Sequence, residues 1–145
     1  NVAVIPTPSM YPTIKPKDMV LVDVRVKDFK RGDVVAFISP LPEDKGKVYV
    51  KRLIGLPNEE IEIRDKKVFI NGEPLYEDYL EERPYYEYPK TKIPKNNYFM
   101  LGDNRNISYD SSRWGFVPEE NLKGKVVYIV FPYNRFEKIE NKLLE

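Results

Sequence analysis

Residues 47–54 read Lys47-Val48-Tyr49-Val50-Lys51-Arg52-Leu53-Ile54, and their alternation decides the fold class. A period of two carried by β-branched and aromatic residues belongs to a strand. On that strand Lys51 shares a face with Tyr49 and Leu53, while Arg52 shares the other with Val50 and Ile54. A lysine on an apolar face loses water, and desolvation lowers its pKa towards the range of a general base.

The same reading extends in both directions. Upstream, Val34-Val35-Ala36-Phe37-Ile38 is an apolar run of strand length after the turn Arg31-Gly32-Asp33, and residues 20–26 alternate in part. Downstream, residues 60–64 and 67–70 alternate on either side of Asp65-Lys66, a hairpin pattern, and Asn71-Gly72 follows as a two-residue turn signal. Strands resume at Tyr98–Leu101 and over residues 125–131. In the tail from Arg135 to Leu144, Phe136, Ile139, Leu143 and Leu144 share one helical face, which predicts a short C-terminal helix. Between Glu73 and Asn97 the character changes: five of the eleven Tyr stand among acidic residues and Pro74, Pro84, Pro89 and Pro94. That mixture reads as a solvated face with local packing. The expected architecture is mainly β. An antiparallel β-sheet core spans residues 1–72 and 98–145, and residues 73–97 form an inserted lobe or extended loop.

Composition narrows the chemistry. The chain has 145 residues with 24 Lys plus Arg and 23 Asp plus Glu, a net charge of +1, which gives no support to a nucleic-acid partner. It contains no Cys and no His. Disulfides, thiol nucleophiles, Cys/His zinc sites and any Ser-His-Asp triad are therefore excluded. Acid–base work falls to Lys, Asp, Glu or Tyr, and no cofactor or metal is expected. The longest apolar run, Val126 to Phe131, is far short of the roughly 20 residues of a membrane-spanning helix.

Two loops are dense in polar residues. In Thr7-Pro8-Ser9-Met10-Tyr11-Pro12-Thr13, prolines stiffen the backbone on both sides of Ser9 and limit how its hydroxyl is presented. Residues 102–115 hold Gly102-Asp103-Asn104-Arg105, Ser108, Asp110-Ser111-Ser112-Arg113 and Gly115. This second loop fails as a calcium loop, since Arg105, Ser108 and Trp114 fall where a ligand, a glycine and a bidentate Glu are needed. Nor does it have the Gly-rich run and Lys-Ser/Thr pair of a phosphate cradle. With no His, a serine activated by a desolvated lysine is the usual serine-nucleophile design left open.

Four segments together resemble the type I signal peptidases, Ser-Lys enzymes that cut secretory signal peptides. Ser9-Met10-Tyr11-Pro12-Thr13 matches their S-M-x-P-T box and Arg31-Gly32-Asp33-Val34-Val35 their R-G-D-[IV]-V box. Tyr49 to Pro57 is similar to Y-[IV]-K-R-x-[IV]-G-x-P, and the segment from Gly102 to Ser111 to G-D-N-R-x-x-S-x-D-S. The resemblance implies Ser9 as nucleophile and Lys51 as general base. Ser108 would orient the Lys51 amine and Asp110 would hold the polar loop nearby. Thr7 would add its hydroxyl to the Ser9 N–H in binding the oxyanion, a useful donor because Pro8 has no N–H. Ile5, Met10, Ile14, Tyr49 and Val50 would line small apolar substrate pockets. Signal-peptide-bearing preproteins are the implied partners. A membrane anchor upstream of Asn1 is implied as well, with the catalytic domain on the outer side of the cytoplasmic membrane. The chain departs from the pattern at Asn58-Glu59, where Gly-Asp is common, at Ile107, where Asn is common, and at Ser112, which displaces Arg113 by one. The last departure leaves open which Arg, if any, pairs with Asp110. A self-cleaving Ser-Lys peptidase of the SOS-repressor type is the enzyme alternative, although S-M-x-P-T fits the signal peptidases better. A non-catalytic β-rich binding module is the alternative from another class.

Overall fold

The computed structural model describes residues 1–143. Its strands are β1 (Val2–Val4), β2 (Met19–Asp23), β3 (Val34–Ile38), β4 (Val48–Gly55), β5 (Glu60–Arg64) and β6 (Lys67–Ile70). They are followed by β7 (Glu73–Pro74), β8 (Tyr88–Lys92), β9 (Asn97–Leu101), β10 (Val117–Pro118), β11 (Leu122–Phe131) and β12 (Glu137–Lys138). One short helix, α1 (Ser111–Trp114), precedes β10. The strand pairings are antiparallel throughout the described residues, so the chain is mainly antiparallel β, as its alternating runs require.

The strands form two sheets. The larger runs β1-β2-β11-β3-β4-β9-β10 with β12 added to β11, and the smaller runs β7-β6-β5-β8. Strand β3 is unbroken in apolar residues because it is covered on both faces. Val34 and Ala36 join a cluster with Ile5, Met10, Ile14, Val126 and Ile129, while Val35 and Phe37 join Leu53, Met100 and Val117 on the other side. A third cluster, including Ile54, Ile61, Ile63, Ile93, Phe99 and Leu101, ties the two sheets together. Removing side chains of this size from water stabilises by about 1.5–3 kcal/mol each. The hairpin at Asp65-Lys66 forms as expected, with φ of 50° and 61° at the two turn residues. Residues 73–97 supply β7 and β8 to the smaller sheet, whose other two strands come from the segment before them.

The C-terminal helix does not form over the described part of the tail, and Leu144 lies outside the described residues. Glu137 and Lys138 pair instead with Ile129 and Tyr128 of β11, and the Ile139 N–H donates to the Val127 carbonyl at 2.9 Å. The apolar periodicity misled because its members face different surroundings. Ile139 is buried, whereas Phe136 is 62% exposed and stacks on Tyr128 with ring centroids 5.6 Å apart. Backbone pairing with a long strand outweighs a two-turn helix, which is marginal without a buried face. Among the described residues no helix is long and apolar enough to cross a membrane.

Candidate active site

Strand β4 delivers Lys51 and the β1–β2 loop delivers Ser9. Both line one groove of about 480 Å³, together with Ile5, Thr7, Tyr49 and Val50. Of the residues expected there, the structure therefore gathers Ser9, Lys51, Thr7 and three of the five apolar positions. Met10, Ile14, Ser108 and Asp110 are not among the lining residues. The Ile14 N–H donates to the Met10 carbonyl at 3.1 Å, and the turn so formed directs both side chains into the core at 0% exposure. Ile107 and Tyr109, which flank Ser108, line the groove from the other loop, as does Lys47. Carrying the alternation of β4 one residue back gives the signal for Lys47, two residues before Tyr49. Nothing in the sequence marks Ile107 as part of the site.

The Ser9 loop is held from below. The Asn104 N–H donates to the Ser9 carbonyl at 2.9 Å and the Asn104 Nδ2 to the Pro8 carbonyl at 3.1 Å. The Thr7 hydroxyl accepts from the Ser9 N–H at 3.4 Å and donates to Ser9 Oγ at 3.2 Å. A hydroxyl and a backbone N–H, the two kinds of donor that bind an oxyanion, thus lie side by side next to the serine oxygen, bonded here within the loop.

Lys51 is 3% exposed, with its Nζ 5.5 Å from the centre of the Tyr49 ring. No ion pair or hydrogen bond neutralises it among the described residues. Burial lowers its pKa to about 8; the charge of Asp110 acts in the opposite direction, and the nearby Lys47 adds to the lowering. Tyr49 does not compete as a base at neutral pH. Burial and the hydrogen bond it donates to Asp44 at 2.9 Å push its pKa up to about 12.

Ser108 Oγ is buried without a hydrogen-bond partner among the described residues, as are Tyr86 Oη and Trp114 Nε1. Such a hydroxyl is costly unless something donates to it or accepts from it. It packs so closely against Gly102 that a Cβ there would fall 2.2 Å from it and 2.6 Å from the Ser9 carbonyl oxygen. Only glycine fits at that point.

Asp110 caps α1 by accepting from the Ser112 N–H at 3.0 Å and the Ser112 hydroxyl at 2.6 Å, while its other oxygen accepts from the Gly102 N–H at 2.9 Å. No Arg pairs with it among the described residues. The intervening Ser112 fills that place, which answers the question the sequence left open. Likewise Glu59, at one of the unusual positions, pairs with Arg31 through two contacts of 2.7 Å.

Sequence reasoning missed a buried ionic stack behind the site. Arg52 donates to both oxygens of Asp103, at 2.9 and 2.7 Å, and to the Gly32 carbonyl at 2.8 Å. Thr13 Oγ1 donates to the same Asp103 at 2.5 Å, tying the Ser9 loop to it. Arg105 pairs with Glu77. The boxes contain Arg52, Asp103 and Arg105, but no local pattern announces Glu77 as their neighbour. Among the described residues no group of acidic side chains is placed to hold a metal ion.

A family model described as "Signal peptidase, peptidase S26" matches residues 1–131. A probable signal peptidase I-2 from Synechocystis is 41% identical over 138 residues, which cover 90% of this chain and 63% of that protein. Signal peptidase I of Leptolyngbya laminosa is 36% identical over 143 residues, covering 93% of this chain and 70% of its own length. The chain thus spans about two-thirds of these curated relatives. Among solved structures, a signal peptidase I from Enterococcus faecalis superimposes with a TM-score of 0.58 at 37% identity, covering 69% of this chain and 97% of that one.

Proposed function

The chain belongs to the signal peptidase family, peptidase S26, and from that premise we propose that it is a serine endopeptidase that removes signal peptides from preproteins with a Ser9–Lys51 dyad. One observation carries the assignment of the dyad. A buried, unpaired lysine with its pKa lowered to about 8 lines the same groove as a serine in a stiff loop.

In this reading the neutral Lys51 amine takes the proton from Ser9 Oγ as that oxygen attacks the scissile carbonyl. The oxyanion is held by the Ser9 N–H and the Thr7 hydroxyl. The Lys51 ammonium then gives its proton to the leaving amine, and the acyl-enzyme is hydrolysed by a water that Lys51 deprotonates in turn. Ser108, whose hydroxyl has no partner among the described residues, would accept a hydrogen bond from the Lys51 amine and so fix its direction. At pH 7 a pKa of about 8 leaves roughly a tenth of Lys51 neutral, against about one molecule in 2,500 for an unperturbed lysine.

Ile5, Tyr49 and Val50 leave room for a small residue on the acyl side of the cleaved bond and again two residues before it. Overfilling such pockets costs binding by steric clash. An anchor upstream of Asn1 and a position on the outer side of the cytoplasmic membrane complete the proposal.

The test is cleavage of a peptide library by the purified chain and by Ser9→Ala. Cleavage after Ala or Gly by wild type, lost in the variant, is expected. Preferential cleavage after Phe, Lys or Arg would overturn the pocket assignment, and an active Ser9→Ala would overturn the mechanism.

A further inference from the structure

The connection between β7 and β8 reaches across to the loop that carries Ser108. There the Glu77 carboxylate, with its side chain 6% exposed, takes both terminal nitrogens of Arg105 at 2.8 and 2.5 Å. The Arg105 side chain is wholly buried, and its Nε donates to the Gly102 carbonyl at 3.0 Å. From the other side, Asp110 accepts from the Gly102 N–H. Gly102 is thus gripped through both its N–H and its carbonyl, at the place where Ser108 Oγ and the Ser9 carbonyl come against its Cα. Tyr79 adds a hydroxyl donated to Glu77 and a ring stacked 4.1 Å over the Arg52 guanidinium.

A carboxylate–guanidinium pair out of water is a weak source of stability, because desolvation offsets most of the attraction. Its two-pronged geometry is a strong source of direction. Here the fork turns Arg105 Nε onto one carbonyl and leaves it no second orientation. The same connection makes another set of contacts to this loop, and these are exposed. Asn106 donates to Glu82 and to the Arg83 carbonyl, both at 2.9 Å, and accepts from the Tyr85 N–H at 2.8 Å.

We infer that Glu77 is a positioning residue for peptide cleavage, holding the Gly102 peptide through Arg105 and thereby setting Ser108 against Lys51 and the Ser9 loop. The inference rests on the roles of Ser9, Lys51 and Ser108 proposed above. It separates the two contact sets: the buried pair governs the rate, and the Asn106 contacts only fasten the surface.

The experiment follows cleavage of a signal-peptide substrate near pH 8.5 by wild type, Glu77→Gln, Asn106→Ala, Ser108→Ala and the double variant Glu77→Gln/Ser108→Ala. Rates are taken per folded molecule, counted by circular dichroism at the assay temperature. Glu77→Gln is expected to lower kcat by about 10- to 100-fold, the cost of a displacement near 1 Å in a reacting group, with KM within about twofold. Asn106→Ala should stay within about twofold of wild type. Because Glu77 acts through Ser108, the double variant should fall within about threefold of the slower single one, whereas independent structural losses multiply. If Glu77→Gln does not fold, Glu77→Asp decides. It keeps the charge but is too short to hold both Arg105 nitrogens, so the same fall in kcat at constant KM is expected. Full kcat in either folded Glu77 variant, or multiplying losses in the double variant, overturns the inference alone. Wild type that leaves the substrate intact overturns the reading of the site and the inference with it.

Discussion

Lys51 and Arg52 adjoin in β4, both are cations, and both are removed from water, at 3% and 1% exposure. Their fates are opposite. Lys51 faces the groove without a carboxylate partner, and burial brings its pKa down to about 8. Burial also presses on Arg52, but the charge and hydrogen bonds of Asp103 more than restore it, so its pKa is raised. Burial alone therefore does not set a charge state; the partner does. A strand is well suited to dividing the two, since one residue step moves a side chain to the other face. The unpaired lysine and the bracing arginine are one peptide bond apart and share almost no surroundings.

The largest effect that would test this division is on activity. Lys51→Met should end signal-peptide cleavage, a fall of about ten-thousand-fold or more, because loss of one member of a nucleophile–base unit removes most of the rate. Its melting temperature should hold or rise, as a disfavoured buried charge is removed. Arg52→Met should do the reverse to stability. It leaves Asp103 buried without its cation, at a cost of about 3–5 kcal/mol measurable by urea unfolding. Equal stability losses in the two variants would erase the contrast.

Next in size is a pH effect on folding. The folded-state pKa of Lys51 is depressed, so the folded form holds its proton less tightly than the unfolded form. The resulting penalty is present in full below pH 8 and fades as pH rises from about 8 towards 10.5. Wild type should therefore gain about 2–3 kcal/mol relative to Lys51→Met between pH 7 and pH 10. Reading the difference between the two proteins removes the contribution of every group they share. A flat difference would mean that Lys51 is paired or hydrated after all.

The smallest effect sharpens the Lys51 side. Ser108→Ala should lower kcat/KM by about 10- to 100-fold, less than loss of Lys51 itself, since in the proposed mechanism Ser108 orients the amine without taking the proton. The ascending limb of the wild-type pH–rate profile should centre near pH 8. A limb at 6.5 or below would assign the base to another group.

Much of the Lys51 side was legible in the sequence and little of the Arg52 side. Alternation alone put Lys51 on an apolar face with Tyr49, and the absence of His left a serine paired with such a lysine as the usual serine-nucleophile design. Strand β3 and the turn at Asp65-Lys66 were legible for the same local reasons. Glu77 and Tyr79 were not, because they stand in a run of acids, tyrosines and prolines that reads as solvated. In that run Tyr76 and Tyr85 are 79% and 66% exposed, while the Glu77 side chain is 6% exposed. Nothing local distinguishes them; only an arginine arriving from 28 positions away does. The tail failed for the converse reason. Its apolar spacing was real, but it described Phe136 on the surface and Ile139 in the core, not one continuous face.

Strand β1 stands at the end of the larger sheet and pairs with β2 alone. The groove is lined by Ala3, Val4, Ile5 and Pro6 in unbroken succession. Ala3 and Val4 are successive residues of β1 and point to opposite faces, so a surface touching both, and the Ile5-Pro6 extension after them, runs along the strand's margin, where the peptide groups lie. A guest chain laid there would be recognised first by what every polypeptide shares. Discrimination is then left to the few places where a side chain must fit. On the proposed function the groove would act as a short template with most of its letters blank: permissive of many different clients, and strict at one or two positions.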